Sequence, residues 1–137
     1  MRAAAGVEGS EQLKVLVVGA AGQLGQAVVA RLRREHEVIP WTRADIDLTR
    51  HTDVRDAIVS LAPQAIVNCA SYNNVDLAED EQVTALDVNA MVVGTLARAA
   101  ANLDAVFIHY STDFVFAGTT GVPHTETEPP EPRSVYA

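Results

Sequence analysis

The 137-residue sequence has one cysteine, Cys69, so no internal disulfide can form, which fits a reducing, cytoplasmic setting. Within an apolar strand, that cysteine reads as an inert buried thiol rather than a nucleophile. Histidine is also scarce. His36, His51, His109 and His124 show no metal-ligand spacing, and no metal site is expected. Ten Lys and Arg face eighteen Asp and Glu, and the net charge of −8 argues against nucleic acid or an anionic membrane as a partner. No apolar run reaches the roughly 18 residues of a membrane span, and no signal-peptide core stands near the N-terminus. An apolar content of 48% is that of an ordinary globular domain, and the length suits one.

What is present begins at Lys14–Gly25, KVLVVGAAGQLG. Val15–Val18 read as a buried strand, and Gly19, Gly22 and Gly25 punctuate the turn into a helix, close to the spacing of the dinucleotide fingerprint. Gly19 permits a tight exit from the strand, Gly22 lets backbone N–H groups approach a diphosphate, and Gly25 lets the helix pack closely on the sheet. The phosphates would meet the positive end of that helix. A plain strand–turn–helix is the alternative reading of three spaced glycines.

Residues 1–12 are small and polar without periodicity and are expected to form a disordered leader. Leu24, Ala27, Val28 and Leu32 mark the first helix, and Glu37–Trp41 a second strand. Val54, Ala57, Ile58 and Leu61 mark a second helix, with Thr52 or Asp53 as its cap and Pro63 closing it. Gln64–Cys69 is a third strand. A long helix, roughly 79–102, would turn Val83, Leu86, Ala90, Val93, Leu96, Ala97 and Ala100 inward. Ala105–Tyr110 is a fourth strand, and loop follows from Ser111. The alternation predicts an α/β fold, a Rossmann-type doubly wound parallel sheet of about four strands in the order 3-2-1-4, with ligand at the carboxyl ends of strands one and four. After strand two, where an NAD-preferring fold carries an acidic residue, stand Trp41, Thr42 and Arg43. An arginine there can pair with a 2′-phosphate, so NADPH is expected over NADH, although a solvated loop arginine would look the same.

Several further motifs occur in order: DLT at Asp47–Thr49, IVNCASYNNVDLAE (66–79), DVNA (87–90), HYSTDFVF (109–116) and PHTETEPPEPRSVY (123–136). With GAAGQLG (19–25) they make the chain resemble the extended short-chain dehydrogenase/reductase family, within its branch acting on nucleotide-linked 4-keto-6-deoxysugars. The resemblance runs from Lys14 to Ala137. It implies hydride transfer from a nicotinamide cofactor to the keto carbon while Tyr136 protonates the oxyanion and Thr112 hydrogen-bonds the carbonyl. A phenol's ordinary pKa of about 10 makes it a reluctant proton donor without a nearby cation. The family supplies a lysine four residues later, past Ala137, so these 137 residues alone are expected to be inactive, the remaining substrate-binding part lying outside them.

The resemblance also implies cofactor contacts at Gln23 and Leu24 beside the glycines, and at Asp47 and Leu48 near the adenine. Cys69, Ala70, Ser71 and Tyr72 would follow the ribose and phosphates. Asn89, on the core side of the long helix, would support the active site or staple the helix to the sheet; Asp47 reads equally as a turn residue. The implied partner is a nucleotide-sugar, with a homo-oligomer possible through exposed edges. The same family contains a non-catalytic regulatory subunit of methionine adenosyltransferase, so cofactor binding without turnover is the alternative function.

Overall fold

The computed structural model describes residues 11–119 and 121–137; all but Glu11 and Gln12 of the expected leader lie outside the described residues. Four parallel strands, β1 (Lys14–Val18), β2 (Glu37–Trp41), β3 (Ala65–Asn68) and β4 (Val106–His109), form one sheet. Helix α1 (Gln23–Leu32) joins β1 to β2, and α2 (His51–Leu61) joins β2 to β3. The β3–β4 crossover contains α3 (Leu77–Asp80), α4 (Gln82–Leu86), a π-helical turn (Asp87–Met91) and α5 (Val92–Asn102).

The strand order is β2-β1-β3-β4, not the expected 3-2-1-4. The two arrangements differ in where α2 lies. Right-handed crossovers put α1 and α2 on the same face if the strands keep marching outward, and on opposite faces if β3 returns past β1. Here Val28, Val29 and Leu32 of α1 pack on Val15, Val17, Ala65 and Val67. Val54 and Ile58 of α2 instead join Val92, Leu96 and Ala99 of α5 on Leu16, Val18 and Ile66, the other face. Pro40 stands within β2, and a residue without N–H is tolerated at a sheet edge, where β2 lies. Both faces of the two central strands are covered, and Val15–Val18 and Ala65–Asn68 are buried throughout. Fully burying an aliphatic side chain such as Leu16, Ile58 or Ile66 contributes about 1.5–3 kcal/mol.

The crossover helix departs from its expected stripe. Val83 is 82% exposed and Leu86 51%, while Ala85, Val92, Thr95, Leu96, Ala99 and Ala100 are buried, so only Leu96 and Ala100 of the expected stripe are buried. The backbone leaves helical geometry at Glu81 (φ −108°, ψ 44°), and the π turn inserts an extra residue, so no single 3.6-residue period connects the two halves. Gln82–Asn102 is 21 residues long with a mean hydropathy of 1.2, long and apolar enough to cross a membrane, but its apolar face in α5 packs on the sheet. On α1, Leu24 is exposed and Ala27 does not pack inward; Gly25, Val28, Val29 and Leu32 do. Helix α2 buries Val54 and Ile58 as expected, but its cap is Arg50, without a side-chain hydrogen bond, and Ala62 ends it in the left-handed conformation.

Candidate functional site

The carboxyl ends of all four strands open into one cleft made of two cavities. The smaller, about 480 Å³, is lined by Gln23, Leu24, Asn89, His109, Thr112 and Tyr136, among others. The larger, about 950 Å³, is lined by Gly19, Trp41, Arg43, Asp47, Leu48 and Tyr72, among others. Gly22, Cys69, Ala70 and Ser71 line both and form the join. The ligand space thus centres on β3, which lies between β1 and β4, rather than on strands one and four alone.

The glycine turn forms the floor. Gly19 has φ +78°, and a Cβ on it would fall 2.6 Å from the Ala70 nitrogen, so the turn can lie against the end of β3 only with glycine there. Gly25 is buried against the backbone of Gly19 and Ala20, hence packing on the turn itself rather than on the sheet, and it lines neither cavity. At Gly22 a Cβ would meet nothing closer than the Gly19 carbonyl oxygen at 3.4 Å. Internal packing therefore leaves room at Gly22, and the open space in front of it is the cleft. Gly22 is the N-cap of α1, whose first turn carries no acidic residue, so the leading N–H groups face a space suited to an anion.

Beside β2, Thr42 donates both its N–H (2.8 Å) and its hydroxyl (2.7 Å) to Asp45, and these bonds hold that carboxyl below its ordinary range. Arg43, on the same turn, lines the larger cavity and forms no ion pair among the described residues. Asp47 accepts the Thr49 hydroxyl (2.8 Å) and N–H (3.0 Å), which lower its carboxyl in that order; one oxygen is thus engaged in a local turn, and the residue still lines the cavity. Cys69 sits one residue past β3, half-buried, and burial pushes its thiol up; it lies in the cleft wall, not inside the strand.

Asn89 belongs to the π turn and is half-buried against the cleft, not turned into the core. Its Nδ2 donates to the Tyr72 carbonyl (2.9 Å), and its Oδ1 accepts from the Tyr72 N–H (2.8 Å) and the Ser71 hydroxyl (3.3 Å). One side chain thus satisfies the loop's backbone as a neighbouring strand would. The Tyr72 hydroxyl donates to Glu81 (2.9 Å); partial burial and then this carboxylate raise the phenol above its usual value.

At the far end, Thr112 caps a 3-10 turn, Asp113–Val115, its Oγ1 accepting from the Phe114 N–H (3.2 Å) and donating to Asp113 (3.3 Å). Tyr136 lies edge-on to Phe114, ring centroids 5.7 Å apart. Sequence reading placed Thr112 and Tyr136 here but missed His109. Asn68, buried at the end of β3, accepts the Ala70 N–H on Oδ1 (3.1 Å), so its Nδ2 faces His109 Nδ1 (3.2 Å). That pairing makes Nδ1 the acceptor and leaves a neutral imidazole protonated at Nε2. No local sequence signal marks this pair; the β3–β4 register sets Asn68 opposite His109.

Burial holds His109 below the ordinary histidine value. Between that value and about 6.5 the unfolded chain binds the extra proton, so the stability from this group is complete above about 6.5 and is lost as pH falls through the folded value. His109→Gln removes the titration while its amide oxygen can still accept from Asn68. Calorimetry at mildly acidic and neutral pH should therefore show the wild-type Tm falling further on acidification than the variant's. Parallel falls would remove His109 from the pH response.

Among the described residues no group of His, Cys, Asp and Glu is arranged to hold a metal ion. The profile described as the RmlD substrate binding domain matches residues 13–137. A protein named dTDP-4-dehydrorhamnose reductase from Burkholderia thailandensis is 39% identical over 124 residues, covering 90% of this chain and 42% of the relative. One of the same name from Streptomyces griseus is 40% identical over 122 residues, covering 88% and 40%. A crystal structure of dTDP-4-dehydrorhamnose reductase from Bacillus anthracis in complex with NADP superposes with a TM-score of 0.88 at 30% identity, covering 94% of this chain and 46% of that one. A Clostridium acetobutylicum structure of the same name gives 0.87 at 35%, covering 90% and 45%. The chain spans less than half the length of these relatives. With the profile matched over 13–137, the chain belongs to the RmlD substrate binding domain family.

Proposed function

We propose that this chain forms the cofactor-binding part, and one wall of the active site, of an NADPH-dependent reductase of a nucleotide-linked 4-keto-6-deoxysugar. The observation that carries the reading is the continuous cleft from Arg43, past the glycine turn, to Thr112 and Tyr136. The reductase names of the relatives and the NADP in the Bacillus anthracis structure support it.

The residues present fit a dinucleotide: room in front of Gly22, a helix N-terminus beside it, and Arg43 unpaired among the described residues. Bound there, the nicotinamide supplies a hydride. The α1 N–H groups and Gly22 would hold the diphosphate, and Arg43 the 2′-phosphate. Cys69, Ala70, Ser71 and Tyr72 line the path between, kept in place by Asn89. The Thr112 hydroxyl would swing from Asp113 to donate to the sugar's carbonyl oxygen, and the Tyr136 phenol would give its proton to that oxygen as negative charge develops.

The test is to follow NADPH oxidation by the protein as its source produces it, given a dTDP-linked 4-keto-6-deoxysugar. Turnover supports the reading; tight NADPH binding without turnover supports the regulatory alternative. Cofactor choice has its own test. A charge-assisted bond to the 2′-phosphate is worth about 1.5–3 kcal/mol, so Arg43→Ala is expected to weaken NADPH binding roughly 10- to 100-fold and NADH binding far less. Equal losses in a titration of both cofactors would show Arg43 to be a solvated loop residue.

A cytoplasmic setting and no nucleic-acid or membrane partner fit the charge of −8 and the lone cysteine. A homo-oligomer is a further part of the reading, which a monodisperse monomer by light scattering would oppose.

A further inference from the structure

We propose that Glu79 is a positioning residue for Tyr136, holding the segment that carries the phenol into the cleft; the inference rests on the reductase reading. Glu79 lies in α3, exposed and lining neither cavity, and its Oε1 accepts the backbone N–H of Val135 at 2.9 Å, across 56 residues of chain. Val135 directly precedes Tyr136, so this bond fixes the Ser134–Val135 peptide, one residue ahead of the tyrosine.

Among the described residues, the other bonds next to Tyr136 lead elsewhere. The Glu131 N–H donates to the Val115 carbonyl (2.7 Å), the Ala137 N–H to the Ser134 hydroxyl (3.2 Å), and the Tyr136 ring meets Phe114. Val115 and Phe114 belong to the loop after β4, and Ser134 to the segment itself. Glu79 connects Tyr136 to the helical frame. The neighbouring Ala78 is fully buried, and the Asn74 Oδ1 accepts the Leu77 N–H (3.1 Å) at the start of α3. The Gln82 amide donates to the Glu79 carbonyl (3.0 Å), tying α3 to α4. A carboxylate accepting a backbone N–H is one of the stronger hydrogen bonds available. Misplacing a reacting group by about 1 Å can lower a rate by roughly 100-fold, so a tether one residue from the proton donor bears directly on turnover.

The test compares Glu79→Ala, Glu79→Gln and Tyr136→Phe in the protein as its source produces it, by amide hydrogen exchange, NADPH titration and steady-state kinetics. Glu79→Ala is expected to speed exchange at Val135 and lower kcat, each by roughly tenfold or more, with NADPH affinity nearly unchanged. Glu79→Gln keeps an acceptor oxygen and should restore both. Unchanged exchange in Glu79→Ala overturns the tether, and so does faster exchange with undiminished kcat. Full turnover by Tyr136→Phe instead removes the proton-donor reading, and the exchange result then decides the tether alone.

Discussion

Tyr136→Phe is expected to lower kcat by about 10²–10⁴-fold, the usual size of a general acid–base contribution, while NADPH affinity changes little. The substitution removes one hydroxyl and leaves the ring, which can keep its edge contact with Phe114. The Tyr136 wall of the smaller cavity should therefore retain its shape, separating loss of the proton from loss of the site. Steady-state kinetics on the naturally produced protein, with an independent cofactor titration, measures both. A variant that turns over normally would mean the oxyanion takes its proton from another group, and His109, with Nε2–H and a place in the same cavity, would be next to test. A variant that loses NADPH affinity as well would mean the tyrosine shapes the cofactor's pocket, and the rate loss would then report binding.

Gly19→Ala and Gly22→Ala are expected to fail differently. At Gly19 the left-handed backbone costs a non-glycine residue about 1–3 kcal/mol. The new Cβ would also lie 2.6 Å from the nitrogen and 2.7 Å from the Cα of Ala70, backbone atoms that no side-chain rotation can clear. A loss of several kcal/mol is expected, visible as a large fall in Tm together with loss of cofactor binding. At Gly22 a Cβ has room, so stability should change by no more than about 1 kcal/mol, the order of a changed helix cap. The methyl group would instead occupy the approach to the α1 N-terminus and weaken NADPH. Paired thermal melts and titrations separate a folding glycine from a binding one. Undiminished NADPH affinity in Gly22→Ala would remove this turn from the diphosphate site.

Local patterns carried the secondary structure where one period runs unbroken. Glu37–Trp41 lies where its residues place it, and Val54 and Ile58 of α2 are both fully buried. The crossover helix was misread because its period is interrupted at Glu81 and again by the π turn. Asn89 consequently faces the Ser71–Tyr72 loop instead of the core. Leu24, counted among apolar helix positions, lines the cleft, which agrees with its place in the motif rather than with its hydrophobicity. Pro40 carried a topological signal in plain view, since its strand belongs at an edge; the expected order would have put a strand on either side of it.

By itself the sequence determined that a strand, a glycine turn and a helix stand at Lys14–Leu32, and that Arg43, Thr112 and Tyr136 follow strand ends or loops. Each depends on neighbours a few residues away, and steric and hydrogen-bonding preferences at that range are written in residue order. Only the tertiary structure decided that β3 returns past β1, that Asn68 fixes the tautomer of His109 across 41 residues, and that Glu79 accepts the Val135 N–H across 56. Contacts at such separations leave no periodic trace. They arise when burial of two opposite sheet faces selects one arrangement of the crossovers, and that selection is made by the whole chain.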